Sequence, residues 1–232
     1  MGTIADNILA VRQRIDDACR RAGRNPNEVT LIAVTKAFDS TRITEAVREG
    51  VCDIGENFVQ ELLGKREQVL DGNIRWHFIG HVQTNKVKSL VEVVHLIHSV
   101  DSYRVAEEVE KRASKVGRTV DVLLEVKTTG EATKYGVPPE EAKALVKKIA
   151  PFEHVRIRGL MTIGPFSPDP EESRPCFRKL RELSESILEQ SIENVEMTHL
   201  SMGMTNDFEV AVEEGATLVR LGTALFGPRS AG

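Results

Sequence analysis

Apolar residues between Thr3 and Arg21 recur at three- and four-residue steps. Ile4, Ile8, Val11, Ile15 and Ala18 form the stripe of an amphipathic helix, and Gly23 stands where a C-cap would. The period then changes. Val29-Thr-Leu-Ile-Ala-Val-Thr35, bounded by Pro26 and a polar stretch, is a β-branched run of the kind buried on both faces of a parallel sheet. The same alternation continues along the chain. Further strands are predicted at 51–55, 74–80, 94–99, 119–127, 155–162, 196–201 and 217–222. Helix-period segments lie between them at 41–49, 57–70, 84–92, 102–116, 138–150, 171–190 and 206–214, several opened by Asp, Ser, Thr or Pro at a cap position.

Eight strand starts spaced by about 27 residues match the length of one βα unit, and eight such units predict an α/β fold, a single (β/α)8 TIM barrel with an extra N-terminal helix. A doubly wound open sheet would alternate in the same way, but its usual order has fewer strands, and no G-x-G-x-x-G follows the first strand. No linker or low-complexity segment interrupts the pattern. The densest Pro and Gly cluster, Gly164-Pro165-Phe-Ser-Pro168-Asp-Pro170, is one loop long, so residues 1–232 are expected to form one domain.

Composition adds exclusions. The chain of 232 residues is 41% hydrophobic and 28% charged, the make-up of a globule large enough to need no disulfide framework. Cys19, Cys52 and Cys176 are odd in number and widely spaced, which points to free thiols in a reducing, cytoplasmic setting. A formal charge of -4 without a basic tract argues against nucleic acid. No window approaches the length of an apolar membrane span, and Met1 to Ala10 lacks a signal-type apolar core. With aromatic residues at 5% and a single Trp76, a ligand site is expected to rely on backbone amides and a few polar side chains.

In a barrel of this kind, function sits at the C-terminal ends of the strands. Lys36 closes the first strand, after a run as apolar as Leu31 to Val34. Partial desolvation there would lower its pKa and favour the neutral amine that attacks an aldehyde; a lysine snorkelling to solvent or to Glu56 is the alternative. Gly222-Thr223-Ala-Leu-Phe-Gly227 and Ser201-Met202-Gly203 have the composition of a phosphate cradle, with a short helix beginning at Thr223, or of ordinary loop glycines. Arg220 shares a strand face with Gly222 and needs an acceptor, either an internal carboxylate or a ligand. His77 and His81 straddle a strand end. His95 and His98, three apart on a strand, fall on opposite faces, and no metal site is expected. Trp76 and Phe78 read as packing against a helix, and the charge runs 107–112 and 178–185 as solvated helix faces.

Six segments then resemble one family in order across nearly the whole chain: Leu31-Ile-Ala-Val-Thr-Lys36, Gly55-Glu-Asn-Phe-Val-Gln-Glu61, Trp76-His-Phe-Ile-Gly80 with Gln83-Thr-Asn-Lys86, Arg158-Gly-Leu-Met161, Leu200-Ser-Met-Gly-Met204 and Val219-Arg-Leu-Gly-Thr-Ala-Leu-Phe-Gly227. The chain is similar to the pyridoxal phosphate homeostasis proteins, the YggS/PROSC family. The resemblance implies a barrel similar to the N-terminal domain of alanine racemase that carries pyridoxal 5'-phosphate as a Schiff base on Lys36. It also implies phosphate contacts at Ser201, Gly222 and Thr223, an arginine facing the pyridine nitrogen at Arg220, and a cofactor lining of Asn57, His77 and Met202. Two departures from the family pattern lie at the rim: Ala37-Phe38 in place of Thr-Lys, and Lys134-Tyr135-Gly136 in place of Lys-Ser-Gly.

A permanently cationic arginine at the pyridine nitrogen makes the ring a weak electron sink, which argues against transamination and decarboxylation. The expected role is a non-catalytic carrier that buffers the cofactor and supplies it to apoenzymes as a monomer. The alternative is an amino-acid racemase, which needs acid/base groups on both faces of the α-carbon; alanine racemases take the second from another domain and subunit, and the chain is expected to lack one. A class I aldolase would place its lysine on a later strand.

Overall fold

The computed structural model describes residues 2–69, 71–129 and 135–228. Eight parallel strands close in chain order: β1 Thr30–Val34, β2 Asp53–Glu56, β3 Arg75–Phe78, β4 Leu96–Val100, β5 Val120–Glu125, β6 Val155–Met161, β7 Val195–Ser201 and β8 Leu218–Leu221, which pairs back onto β1. Helix α1 Ile4–Arg21 precedes them. The rest alternate with the strands as α2 Ser40–Arg48, α3 Val59–Gln68, α4 Val87–Val91, α5 Tyr103–Lys115, α6 Pro139–Ile149, α7 Arg174–Leu188, α8 Phe208–Glu213 and the single turn α9 Thr223–Phe226. This is the (β/α)8 barrel with an N-terminal helix that the hydrophobic pattern predicts. Among the described residues no helix is long and apolar enough to cross a membrane.

Element ends differ from the sequence pattern where local chemistry intervenes. The apolar run at 94–99 enters the sheet only at Leu96, because Val94 and His95 complete the turn after α4. The segments 84–92 and 171–190 each open with a 3-10 turn, Thr84–Lys86 and Pro170–Ser173, before the α-helix begins. At the N-terminus Thr3 and Asp6 form a reciprocal capping box, and Gly23 follows the C-cap with φ 67°.

Packing is in two layers. Trp76, Phe78 and the outward positions of the other strands pack under the helices, while Ile32, Leu96, Leu123, Met161 and Leu218 form a separate cluster inside the barrel. The remaining inward space holds polar groups. Asp53, His77, His98, Ser201 and Arg220 are all buried. Helix α1 lays Ile4, Ile8, Val11 and Ile15 inward, and the Asn7 side-chain amide donates to the Leu225 carbonyl of α9 at 2.8 Å. Arg14 and Arg21 pair with Glu209 and Glu213 around α8. Cys19 and Cys176 are buried and Cys52 is half-buried, all as free thiols.

Gly159 carries the tightest strand approach. It pairs with both Leu123 and His199 where the register shifts, and adopts φ 149°. A Cβ there would overlap the His199 carbonyl. Gly159→Ala is expected to lower stability by about 3 kcal/mol or more, roughly 5–10 °C in Tm, followed by circular dichroism on heating. An unchanged Tm would mean that β6 and β7 part without strain.

Candidate functional site

Lys36 lies two residues past β1, half-buried in a turn. The turn is held from both sides. Lys65 of α3 donates its ammonium to the Thr35 carbonyl at 2.7 Å, to Glu56 at 2.6 Å and to Glu61 at 2.9 Å, and Glu61 in turn accepts the Ala37 N–H at 3.0 Å. Glu56 also accepts the Thr35 hydroxyl. Its carboxyl is pushed up by burial, against the pull of Lys65 and Thr35. Residues 35 and 37, on either side of Lys36, are thus fixed by one buried ion-pair cluster, and Ala37 takes φ 64°. Phe38 packs against Phe226 of α9 with ring centroids 5.0 Å apart, linking this turn to the end of β8. The partner that sequence reasoning considered for Lys36, Glu56, is the partner of Lys65.

Neighbouring strands bring the other candidates to the same seam. Arg220 pairs in register with Ile32 of β1, and Gly222 faces the Val34 carbonyl two residues later. Ile32 and Val34 of β1 and Arg220 of β8 lie on the inward face, and Lys36 and Gly222 follow just past the C-terminal ends of those two strands. Thr223 opens α9 and is exposed. Ser201 ends β7 and Met202 follows it, both fully buried. Their loop is stitched to β8 by the Met202 N–H on Leu218 and the Arg220 N–H on Gly203. Gly203 needs φ 90°, with Phe208 and Ala211 where a Cβ would go. Asp207 holds the same loop by accepting the Met204 N–H at 2.7 Å and the Ser173 hydroxyl at 2.9 Å.

Arg220 is a buried guanidinium whose acceptors among the described residues are neutral. It donates to Ser201 Oγ at 2.6 Å and to the Thr162 carbonyl at 2.9 Å. Burial lowers its pKa to about 10, opposed by the charges of Asp207 and Glu125, so it remains a cation at neutral pH. The acceptor that sequence reasoning required for it is therefore a hydroxyl and a backbone carbonyl. Asn57 follows β2 with its side-chain oxygen buried and without a hydrogen-bond partner among the described residues.

His77 stands inside the barrel with both ring nitrogens engaged, Nε2 at 2.9 Å from Asp53 and Nδ1 at 2.9 Å from His98 Nε2. His98 Nδ1 lies 2.8 Å from Ser201 Oγ. The opposite-face expectation for His95 and His98 does not hold. His95 precedes β4, and both rings stand edge-on to His77, at 5.5 and 5.1 Å. Among the described residues no group of three His, Cys, Asp or Glu side chains is arranged to hold a metal ion. Asp53, His98, Lys65, Glu61 and Thr162 escaped sequence reasoning. For Asp53 and His98 the one signal was a polar residue within a run otherwise read as a buried strand; Lys65 and Glu61 lie on α3 and carried none.

Across the barrel from β1, a cavity of about 320 Å³ opens at the ends of β5 and β6, lined by Glu125, Lys127, Tyr135, Thr162 and Ile163 among others. Tyr135, one of the departures from the family pattern, stacks on His81 with ring centroids 3.7 Å apart. Lys134 lies outside the described residues.

The family model described as alanine racemase, N-terminal domain, matches residues 7–230. The pyridoxal phosphate homeostasis protein of Aquifex aeolicus is 49% identical over 224 residues, covering 97% of each chain. The structure of PipY from Synechococcus elongatus with PLP bound superposes with a TM-score of 0.86 at 34% identity, covering 97% of this chain and all of that one. An alanine racemase of Clostridium difficile shares the fold at 14% identity and a TM-score of 0.76, with 57% of its own length covered.

Glu125 supplies a pH test. Burial, then Asp101, pushes its carboxyl up to about 7, against Arg220 and Lys127. The unfolded chain ionises this group near 4.5. Between those values the folded state keeps a proton that the unfolded state has lost, so stability falls as pH rises through the window. Glu125→Gln is expected to stabilise by about 1–3 kcal/mol at roughly pH 8 and little at roughly pH 4.5, read from urea denaturation. An equal effect at both pH values would contradict the raised carboxyl.

Proposed function

This chain belongs to the alanine racemase N-terminal domain family and, within it, to the pyridoxal phosphate homeostasis proteins; from that membership we propose that it binds pyridoxal 5'-phosphate on Lys36 and takes part in holding and supplying the cofactor. The observation that carries the reading is the β1–β8 seam, with Lys36, Gly222-Thr223 and Arg220 at one barrel end.

The residues present fit the group. Lys36 offers an amine in a turn fixed on both sides, and the Asn57 side-chain oxygen Oδ1 is a buried acceptor with no partner among the described residues. Arg220 has five N–H donors, of which one on Nη1 and one on Nη2 are engaged by Ser201 and Thr162. When bound, the cofactor supplies an aldehyde that condenses with the Lys36 amine to a Schiff base with loss of water. Gly222 and Thr223 are assigned to the phosphate end, Asn57, His77 and Met202 to the lining, and Arg220 to the pyridine nitrogen; Ser201, expected at the phosphate, has its hydroxyl engaged by Arg220 and His98. His77 is assigned with its ring nitrogens held by Asp53 and His98, so it acts from the barrel interior.

Arg220 also supports a non-catalytic role. As a cation at the ring nitrogen it disfavours protonation there and leaves the cofactor a poor electron sink. The protein acts as a single-domain, monomeric carrier that limits free aldehyde and delivers it to apoenzymes. A second reading, amino-acid racemase, is favoured by Glu125, a carboxyl near neutrality on the strand opposite Lys36.

Adding the cofactor is expected to give a visible Schiff-base band that Lys36→Ala abolishes, and borohydride reduction should attach the cofactor mass to the Lys36 peptide. A band that survives in the variant overturns the assignment. In deuterated water, single L-amino acids with the loaded protein are expected to exchange α-protons no faster than with free cofactor. Exchange at enzymatic rates that disappears in Glu125→Gln would establish the racemase.

A further inference from the structure

Arg220 is joined to Asp53, which like it pairs in register with Ile32 of β1, through three side chains, Ser201, His98 and His77, for which pyridoxal phosphate binding supplies no complete role. Ser201 is the last residue of β7 and Asp53 the first of β2, and between them stand His98 of β4 and His77 of β3, 0% and 2% exposed. The contacts run Arg220 Nη1 to Ser201 Oγ at 2.6 Å, Ser201 Oγ to His98 Nδ1 at 2.8 Å, His98 Nε2 to His77 Nδ1 at 2.9 Å, and His77 Nε2 to Asp53 Oδ1 at 2.9 Å. Arg75 closes the far end with its Nε at 2.7 Å from the same carboxylate.

Both ends of this chain have fixed roles. A guanidinium only donates, and an ionised carboxylate only accepts. Burial opposes ionisation of Asp53, yet the hydrogen bonds from His77 and Arg75 hold its pKa at about 2. Burial keeps His98 well below the usual imidazole range, so it is neutral with a single N–H. His77 must give its Nε2–H to Asp53. A neutral His77 then has a lone pair at Nδ1, which takes the His98 Nε2–H, and His98 Nδ1 takes the Ser201 O–H. The Ser201 oxygen is left with its lone pairs toward Arg220.

We propose that His98, backed by His77 and Asp53, is a positioning residue that orients a one-way chain of hydrogen bonds, turning the Ser201 hydroxyl away from Arg220 so that its oxygen anchors the guanidinium. The opposite direction is worse satisfied. A doubly protonated His77 would force the His98 proton onto Nδ1, and the Ser201 oxygen would then accept from both neighbours. Its own proton would be buried without an acceptor among the described residues. In the favoured direction each donor in the chain meets one acceptor, and neighbouring bonds polarise one another in the same sense.

The proposal deepens the function assigned above, and its first test is independent of it. In isotope-labelled protein without added cofactor, nitrogen NMR of the imidazole rings at about pH 8 is expected to show both His77 and His98 protonated at Nε2 and bare at Nδ1. A His98 proton on Nδ1 overturns the proposal. Asp53→Ala is expected to disturb the tautomer of His98 as well as that of its direct contact His77, whereas Asp53→Asn keeps an acceptor and both tautomers. A change confined to His77 also overturns it. If Asp53→Ala does not fold, the parent tautomers alone decide.

The cofactor arm rests on the pyridoxal phosphate reading. His98→Gln can still accept from Ser201 and donate to His77, and His98→Leu can do neither. Binding of pyridoxal 5'-phosphate is expected to weaken roughly tenfold in His98→Leu and to stay within about threefold of the parent in His98→Gln, at comparable Tm. Equal losses in the two variants would show that only the volume of the ring matters. A parent protein that takes up no cofactor would sink the functional reading while leaving the tautomer result standing.

Discussion

A guanidinium enclosed in a closed barrel is the constraint around which this structure is arranged. Such an interior has no bulk water, so each N–H of Arg220 needs a protein or ligand acceptor, and the charge must be balanced without a carboxylate in direct contact. The solution is spread around the circumference. Thr162 of the β6 end gives a carbonyl and Ser201 of β7 a hydroxyl, while β4, β3 and β2 supply the two imidazoles and the carboxylate behind that hydroxyl. The apolar cluster of Ile32, Leu96, Leu123, Met161 and Leu218 fills the rest of the interior. Part of the usual hydrophobic plug of a barrel is thus given over to a polar network. That exchange makes sense only if the cation is needed at its open end.

The Lys36 turn is governed by a second buried charge of opposite logic. Lys65 is a structural ammonium, with two carboxylates and a carbonyl around it and no exposure to spare. It draws the end of β1 and the start of α3 together, and Glu61 reaches from the same helix to the backbone of Ala37. A reactive lysine carried on a loose loop would sample many directions. Here the residues on both sides are bonded to one helix, so Lys36 departs from a defined backbone position.

The eight strands and their helices are legible in the sequence because a barrel imposes the same βα unit repeatedly, and its buried strands are unmistakably apolar. Lys36, Arg220 and the Gly222-Thr223 pair are legible because strand ends can be read directly from those runs. The polar interior is not. Inward and outward positions of a barrel strand are both buried, so His98 between Ile97 and Ser99 carries no periodic mark that separates a packed ring from a bonded one. Its partners come from strands distant in sequence, and which residue meets which depends on the stagger of the closed sheet. Lys65 and Glu61 fail for another reason: on α3 they read as an ordinary solvated pair one turn apart, and only the docking of that helix against β1 and β2 buries the ammonium. His95 shows the limit of the alternation rule itself, since a residue one position outside its strand no longer obeys the strand's parity.

The pairing of β1 with β8 and the seating of α1 on α8 and α9 have a consequence for how the chain is made. α1 and β1 are synthesised well before β8, α8 and α9. Until β8 has left the ribosome, one edge of β1 has unsatisfied backbone groups and the Ile4, Ile8, Val11, Ile15 stripe lacks most of the surface it covers. The charged residues of α1 outside its apolar stripe, Arg12, Arg14, Asp16, Asp17, Arg20 and Arg21, then serve a nascent chain as much as a finished one, keeping an unmated apolar helix dispersed while it waits.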